Sequence, residues 1–111
     1  MFLMATIGEV FEEMHKHFNP AGAAGIDASY QFNISGPEGG TWAFVIKDQK
    51  CEFHSDAIDS PSVQISMSDQ DWMAIREGRL NSQMAFMQGK LKVQGDMGLA
   101  MKLQSIFPIK S

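Results

Sequence analysis

The feature that most constrains the fold of this chain is an alternation of apolar and polar residues that recurs between positions 30 and 68. Four short runs place a large apolar residue at every second position, which is the period of a strand with one face buried and the other in water. Turn-forming segments at 36–40 and 47–50 separate the first three runs. The pattern predicts an antiparallel meander of four strands. Its inward-facing residues would be Tyr30, Phe32, Ile34, Trp42, Phe44, Ile46, Cys51, Phe53, Val63, Ile65 and Met67.

Apolar residues at helical spacing lie on both sides of these strands. Residues 6–18 predict an amphipathic helix that begins with a capping box at Thr6. Further along, Ser68, Asn81 and Asp96 each precede an apolar stretch and have the short polar side chains of helix N-caps. The last of these helices would run to Phe107, with Pro108 as its stop, and it is apolar on most of its circumference.

A fifth strand is predicted at 90–95, where the period of two returns between the last two helices. The whole pattern therefore predicts an α+β fold with a five-stranded, mainly antiparallel sheet and helices covering one face. With 111 residues, 44% of them hydrophobic and 20% charged, the chain has the size and composition of one globular domain, which we expect to cover residues 1–111.

The charge balance narrows the choice of partners. Nine Lys and Arg residues against thirteen Asp and Glu leave a net charge of −4, whereas a nucleic-acid interface needs clustered basic residues, so we expect no nucleic acid partner. Strong electrostatic docking on anionic membranes is disfavoured for the same reason. A local basic spot for transient membrane contact stays open.

The location of the protein is predicted from its cysteine content and its ends. Cys51 is the only cysteine and cannot form an internal disulfide, which favours a reducing compartment. Residues 1–14 lack the basic start of a secretory leader, and the C-terminal Ile109-Lys110-Ser111 differs from the peroxisomal address. Together these features predict a cytoplasmic protein.

The histidines do not suggest a metal site. His15 and His17 stand two apart and so point in different directions on the predicted helix, and His54 falls on a predicted solvent face. A metal site needs several convergent ligands. We therefore expect three surface histidines and no bound metal.

The sequence also carries no catalytic constellation. Cys51 takes an inward strand position without a predicted basic partner, so we interpret it as a small buried hydrophobe. A nucleophile elbow and a glycine-rich phosphate loop are both missing. The alternative, an isomerase with an apolar pocket, would need a desolvated Tyr or carboxylate, and its candidates Tyr30 and Asp96 match a strand residue and a helix cap. We predict no enzymatic activity, no catalytic residue and no cofactor.

Methionine is the most distinctive residue type. There are nine, six of them in the second half of the chain. Flexible thioether side chains suit a promiscuous apolar binding surface, but a methionine stripe at helical spacing also fills an ordinary core, and both interpretations stay open on spacing alone. The largely apolar last helix favours the cavity, because such a helix must border something apolar on several sides.

Three segments carry a resemblance to a known family: Val63–Trp72, Arg79–Asn81 and, most specifically, Ala85–Gln104. They resemble the sterol carrier protein 2 family, also called the non-specific lipid-transfer proteins. The resemblance implies a five-stranded sheet covered by helices. Between them it implies an apolar tunnel that accepts fatty acids, fatty acyl-CoA, phospholipids or sterols, with the C-terminal helical segment as wall or lid.

The predicted ligand-binding residues combine this resemblance with the inward positions of the strands and helices. The floor would be Phe32, Ile34, Trp42, Phe44, Phe53, Ile65 and Met67. The roof and walls would be Trp72, Ile75, Leu80, Met84, Phe86, Met87, Met97, Met101, Leu103 and Phe107, with Gln88 and Gln104 as polar groups near the mouth. Which of these residues line the cavity and which belong to the packed core stays open, because a domain this small needs many of them for its own core.

The sequence thus predicts a non-catalytic carrier of a lipid-like or sterol-like small molecule. An interaction module that presents such a molecule to a separate lipid-metabolising enzyme is the alternative. The chain carries no thiolase or dehydrogenase sequence of the kind to which the family's domain is often fused, so an enzyme it serves would be a separate chain. The natural ligand and the oligomeric state are left open.

Overall fold

A five-stranded sheet organises the chain, and the computed structural model describes residues 7–107 of it. The predicted α+β class and the mainly antiparallel sheet are confirmed. In chain order the elements are α1 (Ile7–Lys16), β1 (Ala28–Ser35), β2 (Gly40–Lys47), β3 (Lys50–His54), β4 (Val63–Ser68), α2 (Asp69–Arg76), α3 (Ser82–Met87), β5 (Lys92–Gly95), α4 (Met97–Met101) and α5 (Leu103–Ile106).

The strand order β3-β2-β1-β4-β5 corrects one prediction. Only the first three strands form the meander, and β4 pairs in parallel with β1. The segment 55–62 connects β3 to β4 over the outer face of the sheet, where the Ile58 N–H donates to Gln31 Oε1 at 3.0 Å. Ser29 and Ser62 exchange backbone N–H to Oγ hydrogen bonds at 3.1 and 3.0 Å. Alternation has the same period in parallel and antiparallel strands, so it does not predict the direction in which β4 runs beside β1.

The inner face of the sheet carries the predicted apolar residues. Tyr30, Phe32, Phe44 and Ile65 are buried there beneath the helices, which confirms the alternation. His15, predicted at the surface, is instead half-buried: its Nε2 lies 2.9 Å from the Cys51 carbonyl oxygen, and its ring centroid lies 5.7 Å from that of Phe53. The reason is its place on α1, at the edge of the apolar stripe that packs on β2 and β3.

The three predicted N-caps within the described residues are confirmed. Ser68 Oγ accepts from Asp71 N at 3.1 Å, Asn81 Oδ1 from Gln83 N at 2.8 Å, and Asp96 Oδ1 from Leu99 N at 3.2 Å. The predicted capping box at Thr6 and the predicted stop at Pro108 lie outside those residues. Across residues 7–107, no helix is long and apolar enough to cross a bilayer.

The predicted single last helix is two short ones. α4 ends at Met101 and α5 begins at Leu103. The Leu99 carbonyl oxygen, which would accept the next rung of a continuous helix, accepts from the Tyr30 hydroxyl at 2.7 Å and from Lys102 N at 3.1 Å. The helical ladder is therefore interrupted at the point where a buried strand residue ties α4 to the sheet.

A buried carboxylate fixes the turn between β1 and β2 against the start of α2. Asp69 Oδ2 accepts from Glu38 N at 3.0 Å, while Oδ1 accepts from Gln70 N at 2.8 Å. Gly36 lies beneath it at φ +105°, where a Cβ atom would stand 2.4 Å from Asp69 Oδ1. Only glycine fits both the dihedral angle and the space. This contact holds the first turn of α2, and so Trp72, at a defined place over the sheet.

Removing the hydroxyl of Tyr30 should loosen α4 measurably. Burial, with a smaller effect from the Asp96 carboxylate, raises the pKa of Tyr30 from its ordinary 10.0 to about 12. We expect Tyr30→Phe to lower the free energy of unfolding at neutral pH by about 1 kcal/mol, because one buried hydrogen bond is lost. Urea unfolding monitored by circular dichroism measures this difference.

The pH dependence of the same variant gives the control. A phenol whose pKa is raised on folding stabilises the protein fully below its unfolded pKa of 10.0, and this stabilisation is lost as the pH rises through about 12. The wild type should therefore lose more stability than Tyr30→Phe over that interval. The Cys51 thiol titrates in both proteins and cancels in the comparison. If wild type and Tyr30→Phe lose the same free energy of unfolding over that interval, the raised pKa does not belong to Tyr30.

Candidate functional site

The centre of the inner face is filled by a stack of three aromatic rings. Phe11 of α1 lies between Trp42 of β2, at a centroid distance of 4.9 Å and 18° between planes, and Trp72 of α2, at 4.6 Å and 7°. Phe32 closes the stack from the strand below, 5.0 Å from Phe11. Rings at these distances are in van der Waals contact. The space above β1 and β2 is therefore packed by the protein's own side chains.

The side of the core next to β5 is built differently. Here the apolar side chains pack against the core on one side and keep exposed area on the other, and they come from α2, from β5 and its approach, and from α4 and α5. We call this set the β5-side wall: Met73, Ile75, Leu91, Val93, Leu99 and Leu103. Half-buried apolar side chains on several elements are what an apolar ligand needs as a wall, because binding would complete their burial.

Beyond the wall, large apolar side chains reach the surface. Met87 and Met101 are 80% and 79% exposed, and Met84, Phe86 and Met97 are between 45% and 50% exposed. They lie on the short helices α3 and α4, of which α3 buries only Ala85. Short helices with few buried side chains open at low free-energy cost. This part of the fold is therefore expected to open at a lower free-energy cost than the aromatic core.

The structure divides the predicted ligand-binding residues into three groups by burial. Seven are buried in the core, five are half-buried and six are exposed, and the side chain of Gln104 lies outside the described part of the chain. The buried group is Phe32, Ile34, Phe44, Ile65, Met67, Trp72 and Phe107; the half-buried group is Trp42, Phe53, Ile75, Leu80 and Leu103; the exposed group is Met84, Phe86, Met87, Gln88, Met97 and Met101.

One polar atom in this interior stands out. Trp72 is only 6% exposed, and its indole Nε1 has no hydrogen-bond partner among the described residues. An unsatisfied buried donor costs free energy and is uncommon in folded proteins. The Trp72 indole N–H is therefore a buried donor for which the described residues supply no acceptor.

A separate groove of about 490 Å³ opens at the carboxyl ends of β1 and β4. Most of its lining residues have polar or charged side chains, and only Ile34 and Met67 of the predicted ligand-binding residues take part in it. Such a lining does not suit a long acyl chain. The lining residues are Asn33, Ile34, Ser35, Gly40, Thr41, Ser66, Met67, Ser68, Asp71, Lys90 and Lys92.

Two titratable side chains near the core, Cys51 and Tyr30, are held in their protonated forms. Burial, with a smaller effect from the Glu52 carboxylate, raises the pKa of the Cys51 thiol to about 12, so the thiol is protonated at neutral pH and a poor nucleophile. Tyr30 is likewise protonated and donates to a backbone carbonyl. Within residues 7–107, no three His, Cys, Asp or Glu side chains come together in a way that could hold a metal ion.

Several of these residues are absent from the predicted ligand-binding set. Phe11, the central ring of the stack, lies within the amphipathic helix that the sequence predicts for residues 6–18 and carries no further signal. Met73, Leu91, Val93 and Leu99 have the right periodicity but share it with many core positions. Their distinguishing property is partial exposure, which depends on how the helices cover the sheet and has no sequence signal.

A comparison with known proteins identifies the family to which this chain belongs. Residues 11–108 match the family model described as the SCP-2 sterol transfer family. The chain belongs to this family. The resemblance predicted from residues 63–104 is thereby confirmed, and membership places the chain among lipid-binding and lipid-transfer domains.

Two curated relatives and one solved structure illustrate the family membership. Sterol carrier protein 2 of Rattus norvegicus is 37% identical over 103 residues, which cover 87% of this chain and 19% of that protein. Hydroxysteroid dehydrogenase-like protein 2 of Bos taurus is 41% identical over 80 residues, which cover 71% and 19%. This chain therefore spans about a fifth of the length of both relatives. The solution structure of palmitated SCP2L2 from Aedes aegypti superimposes with a TM-score of 0.73 at 25% identity and covers 94% of this chain and 96% of that one.

Proposed function

We propose that residues 1–111 form one non-catalytic carrier domain that binds a long-chain lipid, such as a fatty acid, a fatty acyl-CoA, a phospholipid or a sterol, and transfers it between sites. The observation that carries this proposal is the family match over residues 11–108. The neighbour from Aedes aegypti is described as palmitated, which supports an acyl chain as ligand. The lone Cys51 favours a reducing, cytoplasmic location.

The acyl chain would lie between the β5-side wall and the helices α3 and α4. The aromatic stack of Phe11, Trp42 and Trp72 already fills the space above β1 and β2, so a long apolar ligand has room only towards β4 and β5. Displacement of α3 would open a tunnel beside the wall, and its exposed methionines would then turn onto the ligand. Met84 and Met87 suit this role because thioether side chains adapt to varied apolar shapes.

The free energy available is sufficient for such a carrier. A chain of about sixteen carbons gains roughly 13 kcal/mol on full burial, at ~0.8 kcal/mol per CH₂ group. Association and the ordering of α3 and α4 offset several kcal/mol of this gain. The remainder corresponds to a Kd of about micromolar, which allows the ligand to be released as well as bound.

A non-catalytic role is supported by the protonated, hydrogen-bonded state of Tyr30 and by the raised pKa of Cys51. Presentation of the bound lipid to a separate enzyme is a second candidate. It is supported by the relative named hydroxysteroid dehydrogenase-like protein 2, of which this chain matches only about a fifth.

Purified, delipidated protein should bind a fluorescent fatty acid in a one-to-one complex with a Kd of about micromolar. Unlabelled palmitate, palmitoyl-CoA or a sterol should displace the probe, because all of them compete for one apolar site. Fluorescence titration measures both the stoichiometry and the displacement. If none of these lipids binds over several chain lengths, the carrier function is wrong.

Trp72→Phe separates head-group recognition from apolar packing. The variant keeps an aromatic ring in the stack and removes the indole N–H, so the apo protein should lose less than about 1.5 kcal/mol of unfolding free energy. Its affinity for palmitate should fall about fivefold, which corresponds to the free energy of about one hydrogen bond. Isothermal titration calorimetry gives the affinity. Hexadecane, which has no head group, is the control ligand: an equal loss for hexadecane would show that Nε1 does not contact the ligand head.

A further inference from the structure

The polar groove at the carboxyl ends of β1 and β4 has a regular construction. The strand registers place Asn33 of β1 beside Thr41 of β2 and beside Ser66 of β4. Ser66 in turn lies beside Lys92 of β5. All four alternate along their strands with residues of the inner face, so they share the outer face and form a row about 14 Å long, at a strand spacing of ~4.8 Å. We call these four residues the polar row.

Hydrogen bonds fix the middle of the polar row. Asn33 Oδ1 accepts from Gln31 Nε2 at 2.9 Å. Asn33 Nδ2 donates to Gln64 Oε1 at 3.2 Å and to Ser66 Oγ at 3.3 Å, so the amide has a set orientation. Ser66 Oγ is an acceptor in this bond, and its own hydroxyl hydrogen has no acceptor among residues 7–107. The Thr41 hydroxyl has no hydrogen-bond partner in that range either, so two half-buried hydroxyl groups are available to a ligand.

Two lysines give the groove its charge. Lys92 belongs to the polar row, and Lys90 precedes it by two residues and also lines the groove. Both are exposed, and no carboxylate of the described chain forms an ion pair with either. Asp71 is the acidic residue of the lining, so two lysines and one aspartate give the groove a net charge of +1 on a chain whose net charge is −4. A locally positive concavity on an acidic protein attracts small anions.

The donors and the acceptor of the groove together select a class of anion. A phosphate ester has a charge of about −1.5 to −2 at neutral pH and three acceptor oxygens, which matches two ammonium groups and nearby hydroxyl donors better than a carboxylate does. The Asp71 carboxylate can only accept, so it favours a ligand that also carries hydroxyl groups over inorganic phosphate. The groove volume of about 490 Å³ is within the range of small-molecule pockets.

We propose that the groove binds a phosphate ester of a small hydroxyl-bearing molecule, such as a sugar phosphate. The phosphate group would lie at the end of the groove formed by Lys90 and Lys92, with Ser66 Oγ as a further donor. The hydroxyl groups of the ligand would extend along the polar row, donating to Asp71 and accepting from Thr41. Two charged side chains would thus hold the phosphate, while the fixed floor would select the molecule that carries it.

This site is separate from the proposed lipid site, and it does not rest on the carrier function. Leu91 and Val93 of the β5-side wall alternate with Lys90 and Lys92, so the apolar and the basic side chains lie on opposite faces of the same strand and its approach. A single short strand would serve an apolar ligand on the inner face of the sheet and an anionic ligand on the outer face.

The test is an NMR titration of the isotope-labelled full chain with glucose 6-phosphate. The backbone amide signals of Asn33, Ser66 and Lys92 should shift and saturate, with a Kd below about 1 mM. Glucose and inorganic phosphate should each bind at least about tenfold more weakly, because each lacks one half of the recognised chemistry. The proposal is overturned if these signals show no saturable shift up to about 10 mM sugar phosphate, or if either control ligand binds as tightly.

Substitutions then locate the site. Lys90→Gln/Lys92→Gln should bind glucose 6-phosphate at least about tenfold more weakly, and Ser66→Ala about threefold more weakly. The matched control is Lys47→Gln/Lys50→Gln, which makes the same change in charge at the turn between β2 and β3, at the other edge of the sheet. All four lysines are exposed, so both variants should fold, which circular dichroism checks. Equal losses in the two lysine variants would show a general effect of net charge and overturn the proposal.

Lysophosphatidic acid, which joins a phosphate ester to an acyl chain, distinguishes a soluble ligand from the head group of a bound lipid. If the groove also takes head groups, Lys90→Gln/Lys92→Gln should weaken binding of this lipid as well; if it takes soluble esters only, the affinity for the lipid should be unchanged. Both results support the groove as a phosphate-ester site. The fluorescent fatty acid should bind this variant as it binds wild type, and an equal loss for the fatty acid would overturn the separation of the two sites. Binding of glucose 6-phosphate by wild type without binding of any fatty acid would refute the carrier function and leave the groove standing.

Discussion

The position of Phe11 between two tryptophans is the contact on which the rest of the structure depends. It joins α1, β2 and α2 because the ring centroids of Trp72 and Trp42 lie 4.6 and 4.9 Å from that of Phe11, and Phe32 supports it from β1. Because aromatic rings bury a large area with few rotatable bonds, three of them in one stack fix the position of two helices over the sheet at small entropic cost. Deletion of the central ring would leave a cavity between the two indoles and separate α1 from α2.

The stack also explains why the two halves of the domain differ. The half over β1, β2 and β3 is filled by aromatic side chains that contact one another, including Phe107 at the end of α5, while β4 and β5 are contacted by α4, a helix of five residues. Helices of this length are held by tertiary contacts rather than by their own hydrogen bonds. A rigid aromatic half and a loosely covered aliphatic half are a physical basis for holding a lipid without unfolding. The rigid half preserves the fold while the other half adapts.

The sequence predicts local structure well and tertiary placement less well. Alternation identifies the inward residues of β1 to β4, and the short polar side chains of Ser68, Asn81 and Asp96 identify three helix starts, because both signals act over a few residues. The parallel pairing of β4 with β1 and the break after Met101 both depend on contacts between distant residues, such as that of Gln31 with Ile58 and that of Tyr30 with Leu99. The candidate site shows the same limit. Phe44 and Met87 are both apolar residues at regular spacing, yet Phe44 is buried and Met87 is 80% exposed. Met87 is exposed because of where α3 lies on the fold, which the spacing does not predict.

The central claim, that a lipid binds on the β5 side and leaves the aromatic half unchanged, can be tested on the methionine methyl groups by NMR. The chain places Met73, Met84 and Met97 around the claimed site and Met14 on the far side, buried beneath α1. When palmitate is added to delipidated protein labelled at the methionine methyls, we expect the signals of Met73, Met84 and Met97 to shift and to saturate at one equivalent, while the Met14 signal stays unchanged. A perturbed Met14 with unchanged Met73 and Met97, or no change at saturating palmitate, would contradict it.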